Sequence, residues 1–214
     1  MTSHRQRKRD HSRDEFVRAA LDLFETQGYA ETTIQQIADQ AVLSTSTFFR
    51  YFGAKEEVLF ARIPELRETL ISTLANELTE HEPWDAVKRS VRLTTRGFVE
   101  HDPALAVRGL NLWVTEPALR ARYLEVADSW EQAIIDTMTA SNARNAVDNA
   151  HAAAYAVAAV GAFRIALEAF STHGQNLVEH FDLMLELMGQ GLQTSPANRA
   201  PDRAASTPNR GASA

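Results

Sequence analysis

Cysteine is missing from all 214 residues. The chain therefore has no disulfide, no thiolate metal site and no cysteine nucleophile. No apolar run reaches the ~18 residues that cross a bilayer. The charged opening "MTSHRQRKRDHSRDEF" lacks the apolar segment of a secretory signal. A cytoplasmic protein without a membrane partner is the expectation. A glycine-rich phosphate loop and a nucleophile elbow are absent, and the seven histidines form no H-E-x-x-H pattern. His81–Glu82 and His101–Asp102 fall near helix ends, where they solvate or cap. No enzyme, metal site or cofactor is expected. Period-2 alternation long enough for a sheet is absent too.

What is there is ordinary in amount: 44% hydrophobic and 23% charged residues, the composition of a globular protein. The length fits one large domain, or a small one joined to a larger one. The net charge of −6 is unevenly placed. Residues 1–55 hold eight Lys/Arg against seven Asp/Glu, residues 56–194 eleven against twenty, and the tail three against one. Arg5, Arg7, Lys8 and Arg9 open the chain with no acid among the first nine residues. Either this is a solvated tail, or nucleic acid is met by the N-terminus of an otherwise acidic protein.

Helical periodicity runs through nearly the whole chain. Phe16, Ala20, Leu23, Phe24 and Gln27 lie three or four apart, and Gly28 supplies a stop. Thr33 followed by Gln36 reads as a capping box for a helix whose stripe is Ile34, Ile37, Ala38 and Ala41. Ser44 caps a third short helix running to about Phe52, and Gly53 ends it. A fourth helix is expected from Ala54 to about Glu80, with Glu56 and Glu57 suiting its dipole and Pro64 bending or splitting it. Pro103 and Pro117 read as helix starts. An alanine-rich helix stops at Gly174, and a last apolar helix follows. From Thr194 onward Ser, Pro, Ala, Asn and Arg show no periodicity, so disorder is expected. The fold class is all-α with about nine helices.

Only Val42 and Leu43 separate the second and third helices, which makes a helix-turn-helix. Its second helix must offer small polar groups to base edges and phosphates. Ser44, Thr45, Ser46 and Thr47 do so, and threonine methyls can touch thymine methyls. Phe48 and Phe52 are assigned to the core with Leu23, Phe24 and Ile37. Phe49, Arg50 and Tyr51 then lean toward solvent or DNA, and Lys55 is within reach of a phosphate. The bland alternative is a polar cap leading into a core edge.

The stretch "TTIQQIADQAVLSTSTFFRYFGAKEEVLFA" resembles the DNA-binding domain of TetR/AcrR-type bacterial transcription regulators. Thr33, Ile37, Ala38, Ala41, Ser44, Thr47, Phe48, Phe49, Tyr51, Phe52, Lys55, Glu56 and Leu59 match that pattern, over about 13–60. The resemblance implies a homodimeric DNA-binding regulator, most often a repressor, that reads a palindromic operator in double-stranded DNA and answers to a small-molecule effector. Thr33 would hold a phosphate, and Thr45, Ser46 and Phe49 would face bases. Thr47, Tyr51 and Lys55 would hold the backbone, and Arg50 either. Arg7, Lys8 and Arg9 would follow flanking DNA. One departure stands out. The family has glycine where this chain has Val42, so the turn either takes another geometry or carries strain.

The implied organisation is a basic arm (1–12), a helix-turn-helix domain (13–55), a ligand-binding and dimerisation domain (56–193) and a disordered tail (194–214). "WVTEPALRARYLEVADSWEQAI" is similar to the regulatory domain of some actinobacterial members, including mycofactocin-type regulators proposed to sense acyl-CoA. Aromatic residues at helical spacing are usually core. Phe98, Trp113, Tyr123, Trp130 and Phe163 are nonetheless the candidates for an apolar ligand pocket. Arg92, Arg96, Arg108 and Arg164 are candidates to meet an anionic ligand group, with a same-helix pair to Glu168 as the alternative for Arg164. Dimerisation, by the resemblance, uses the last two helices, with Ala158, Ala162, Phe181, Leu185 and Met188 as candidates. A different reading is a helical small-molecule-binding protein with impaired DNA binding, for which Val42 is the hint.

Overall fold

A computed structural model describes residues 4–140 and 147–192. The tail from 194 and most of the connector expected after Ala140 lie outside the described residues. Nine α-helices and one 3-10 segment follow one another, with no strand among the described residues. Helix α1 spans His4–Gln27, so the start expected at residue 13 moves upstream. Apolar spacing marks only the part of a helix that packs. The Arg, Gln and Lys residues before it are good helix formers with nothing to bury.

Helices α2 (Ile34–Gln40) and α3 (Thr45–Tyr51) complete a three-helix unit. Its centre is aromatic. The ring of Phe16 meets Phe48 edge-on at 5.3 Å and Phe52 at 5.9 Å, favourable geometries for paired rings. Ile37, Ala38, Leu21 and Phe24 close around them. Leu21, rather than the expected Leu23, is fully buried, while Leu23 packs at the margin.

The expected fourth helix is divided. Residues Glu56–Phe60 form a 3-10 segment, and α4 begins only at Ile63. Pro64 sits in its first turn, where a missing N–H costs nothing. Helix α4 (Ile63–Glu80) buries Leu66, Leu70, Leu74 and Leu78, four residues apart on one face. Proline opens α5 (Pro83–His101), α6 (Pro103–Thr115) and α7 (Pro117–Ala140). Asp102 caps α6 by accepting from the Leu105 N–H, and His81 closes α4 beside Glu77 at 3.3 Å. Helix α8 (Asn149–His173) ends at Gly174, whose φ of 64° favours a residue without Cβ. Helix α9 (Leu177–Leu192) follows.

The α8/α9, α4/α5 and α7/α8 pairs pack most extensively. On α8 the buried face is Ala152, Ala156, Ala159, Ala162 and Ala166. Those small side chains bring neighbouring helices close, and Leu119, Ile134 and Met138 of α7 and Phe181 and Leu185 of α9 supply the bulk. Of the described helices, α8 alone has the length and apolarity to cross a bilayer.

Candidate DNA-contact surface and buried pocket

Two caps fix the reading unit. The Thr33 hydroxyl accepts from the Gln36 N–H at 3.2 Å, while the Gln36 carboxamide accepts from the Thr33 N–H at 2.8 Å. Ser44 accepts from the Thr47 N–H at 3.1 Å, and the two hydroxyls lie 2.9 Å apart. Between these caps α2 ends in a Schellman motif. Leu43 N–H donates to Ala38 O at 2.9 Å, and Val42 N–H to Asp39 O at 3.1 Å. The motif places Val42 in the left-handed region, at φ 54°, the one non-glycine there among the described residues. Its side chain is 89% exposed. Of the two alternatives for this turn, the chain shows the glycine-like geometry held by a β-branched residue, which is the strained one.

Helix α3 is anchored through Phe48 (0% exposed) and, just past its end, Phe52 (3%). Ser46, Phe49 and Arg50 face outward, with Thr45, Thr47 and Tyr51 half-buried beside them. Phe49 is 58% exposed, unusual for so large an apolar ring. Arg50 leans on the Tyr51 ring at 5.2 Å. Thr33 and Ser44 are exposed, with their hydroxyls engaged in the caps. The backbone of Arg7, Lys8 and Arg9 lies in the first turns of α1.

Lys55 departs from the expectation. Its ammonium turns inward and donates to the carbonyls of Tyr29 (2.6 Å) and Thr32 (2.8 Å). It also sits 4.1 Å from the Tyr29 ring centre. Desolvation lowers its pKa despite the nearby Glu56. With two of three donors held by the α1–α2 loop, Lys55 braces the reading unit instead of reaching out to a phosphate. Burial, followed by Glu56 at 3.3 Å, pushes the Tyr29 phenol up to about 12.

The reading unit is tied to the larger bundle by charge. Arg108 on α6 grips Glu25 with two hydrogen bonds (2.8 and 2.7 Å) and Asp22 with a third (2.6 Å), both acids on α1. Its pKa is raised, chiefly by the Glu25 bonds. Arg13 of α1 reaches Ala61 O and Glu65.

The other arginines proposed for an anionic ligand are paired as well. Arg92 binds Asp182 and Glu186, each at 2.7 Å. Arg96 binds Asp182 at 3.0 Å, and Arg164 takes its same-helix partner Glu168 at 3.5 Å. All four are thus paired with acids, and none lines the apolar cavity of the bundle. Helical spacing could not reveal this, because most of the partners are 83 to 94 residues away.

Inside the larger bundle lies a cavity of about 70 Å³. Phe98, Trp113, Tyr123, Trp130 and Phe163 all line it, joined by Val91, Thr94, Thr95, Val126 and Ile134. Rings of Phe60, Trp113 and Tyr123 lie in a near-parallel series, Phe60 to Trp113 at 4.6 Å and 6°, and Trp113 to Tyr123 at 6.0 Å and 24°. Burial pushes the Tyr123 phenol up to about 12.

The dimer candidates divide. Ala162, Phe181 and Leu185 are buried within the protomer's own core and cannot present an outer face. Ala158 and Met188 are partly exposed. Large apolar residues left in solvent on these two helices are Val157, Leu183 and Leu187, 49–55% exposed. The i, i+4 spacing of Leu183 and Leu187 was the available signal.

A helix-turn-helix unit clamped onto a helical bundle with an apolar cavity defines a two-part, all-α class of protein. Residues 16–61 match the family of bacterial regulatory proteins known as the tetR family, and residues 81–193 match the MftR C-terminal domain. The chain belongs to the TetR family. It is 35% identical over 132 residues to the HTH-type transcriptional regulator TcmR of Streptomyces glaucescens, a match covering 59% of this chain and 58% of TcmR. The chain thus spans little more than half the length of that relative. Two solved structures share the fold. A complex of SmeT, the Stenotrophomonas maltophilia efflux-pump repressor, with triclosan superposes with a TM-score of 0.58 at 15% identity, over 85% of this chain and 91% of SmeT. Thermus thermophilus FadR, a TetR-family repressor in complex with lauroyl-CoA, gives 0.52 at 21% identity, over 90% of this chain and all of FadR.

Proposed function

We propose that this protein is a homodimeric, sequence-specific DNA-binding transcription regulator of the cytoplasm, a repressor released from a palindromic operator by a small, largely apolar ligand. The observation that carries the reading is the outward face of α3. Ser46, Phe49 and Arg50 stand clear, with Thr45 half-buried beside them, while Phe48 and Phe52 lock the helix from behind. Thr45, Ser46 and Phe49 then meet bases, and Arg50, Thr47 and Tyr51 the backbone. Thr33 and the first N–H groups of α2 offer a phosphate site, and the start of α1 carries Arg7, Lys8 and Arg9 toward flanking DNA. In this division residues 13–55 read DNA, and 56–193 sense and dimerise. The reading without DNA binding loses its support, because Val42 holds the backbone conformation that glycine would take.

A gel shift with DNA from upstream of the protein's own gene tests the reading. Binding of that DNA in preference to random DNA is expected, and equal affinity for both would sink it. Thr45→Ala is expected to change which bases are preferred, by about tenfold at one position. Selection of operators from a random pool with each protein compares the two preferences directly.

Two reading units about one helical turn apart need a dimer. The exposed Val157, Leu183 and Leu187 suit such an interface, each losing solvent only when α8 and α9 meet a second copy. Leu183→Glu with Leu187→Glu is expected to yield a folded monomer in sedimentation and to abolish operator binding. A dimer that survives both changes places the interface elsewhere.

The coupling has a physical route. The cavity is narrow, so a ligand must part the helices around it. Helix α6 contributes Trp113 to the cavity and Arg108 to the clamp on α1. The ligand-bound population would shift α6 and with it the spacing of the reading units.

A further inference from the structure

Polar atoms buried without a partner mark where a binding partner belongs, since desolvation without a hydrogen bond is unfavourable. Among the described residues, the buried side-chain polar atoms without a hydrogen-bond partner include Trp113 Nε1, Trp130 Nε1 and Tyr123 Oη, with others, such as Trp84 Nε1, away from the cavity. The first three belong to side chains lining the one cavity. Trp113 and Tyr123 are only 3% and 7% exposed. Two of these groups can only donate, and the phenol, protonated at neutral pH, can also donate.

The rest of the lining narrows the chemistry. It includes no charged side chain among the described residues. The Thr94 hydroxyl donates to Ser90 O at 2.9 Å within its own helix. The arginines of α5, α6 and α8 that were candidates for an anion are ion-paired. An ionised head group here would lose its hydration and meet no charged side chain in the lining, since Arg164, whose field reaches Tyr123, is paired with Glu168. Part of the lining is flat: Trp113 lies 5.8 Å from Phe98 at 23° and 6.0 Å from Tyr123 at 24°, so the three rings form one near-parallel aromatic surface.

Resting on the reading of this cavity as the effector site, we propose that its ligand is a compact, uncharged, flat ring compound bearing a carbonyl oxygen. That oxygen, with two lone pairs, accepts from two donors at a time, the Tyr123 O–H and an indole N–H of Trp113 or Trp130. The ring lies against the aromatic lining and supplies the area that holds it. The oxygen supplies selectivity, because those donors otherwise stay unmatched.

Three two-ring probes separate the possibilities, each titrated calorimetrically and by quenching of tryptophan emission. Coumarin is neutral with a carbonyl, naphthalene lacks an acceptor, and 2-naphthoate is an anion. Coumarin is expected to bind about tenfold or more tighter than naphthalene, the discrimination of one good hydrogen bond, and 2-naphthoate weakest. Tyr123→Phe is expected to remove most of that advantage while the free protein melts no lower than wild type, since an unpaired hydroxyl has gone.

Equal affinity for coumarin and naphthalene, tightest binding of 2-naphthoate, or no binding of coumarin each overturns the proposal. So does a lower melting temperature for ligand-free Tyr123→Phe, which would show the hydroxyl already partnered. A gel shift keeps the two readings apart. Selective coumarin binding that leaves DNA affinity unchanged supports the ligand chemistry and removes the effector role. DNA release by 2-naphthoate or lauroyl-CoA, but not coumarin, keeps the effector role and removes the ligand chemistry.

Discussion

Lys55→Ala is expected to lower the melting temperature by about 4–8 °C and to weaken DNA binding without flattening its salt dependence. The substitution strips the Tyr29 and Thr32 carbonyls of an ammonium at 2.6 and 2.8 Å. Hydrogen bonds to a charged group contribute about 2 kcal/mol, and in a chain of this size each ~1 kcal/mol moves the midpoint by about 2–4 °C. The Tyr29 ring also loses a cation at 4.1 Å. The α1–α2 loop that these contacts hold sets the start of α2, and α2 carries the turn into α3. DNA affinity falls because the reading unit is less often in register. A phosphate-contacting lysine behaves differently: its removal leaves stability alone and reduces the slope of log K against log salt by about 0.9. Thermal melts, together with anisotropy titrations at several salt concentrations, distinguish the two. A variant that melts like wild type with a shallower slope would return Lys55 to the DNA surface.

Val42→Gly is expected to do the opposite, raising the midpoint by about 2–4 °C. A β-branched residue in the left-handed region costs roughly 1–2 kcal/mol or somewhat more. Glycine relieves that cost but loses up to about 1 kcal/mol through its freer unfolded chain. The balance favours glycine by about 1 kcal/mol. Packing does not enter, because Val42 is 89% exposed. Both Schellman hydrogen bonds survive, since they use backbone groups only. Operator affinity should therefore hold at or above the wild-type level. Val42→Asn, whose side chain tolerates the left-handed region, should gain part of the same increment. A glycine variant no more stable than wild type would mean that the turn is unstrained.

The local devices of this chain were readable one after another. Thr33 with Gln36 and Ser44 before α3 satisfy backbone groups within a few residues of themselves, and Pro103 and Pro117, which open α6 and α7, remove an N–H that would have no partner there. Their chemistry is complete in a short window of sequence. Aromatic spacing on α5, α6, α7 and α8 identified five side chains that line one cavity, because each stands on the inward face of its own helix. The errors have a common cause. Ala162, Phe181 and Leu185 carry the spacing of a buried face, and spacing does not say whether a face is covered by the same chain or by another copy. Lys55 sits at a position that resembles a family motif, yet its side chain bends back to a loop 23 to 26 residues earlier.

By itself the sequence determined the all-α class, the order of the helices and the caps, all consequences of backbone propensity and neighbouring side chains, and it singled out Val42 without deciding the geometry of the turn. Tertiary structure alone decided where the long polar side chains point. Arg108 chose Asp22 and Glu25, Arg92 chose Asp182 and Glu186, and Lys55 chose two carbonyls. A flexible charged side chain has many reachable partners, and only packing of distant helices leaves one of them within about 3 Å.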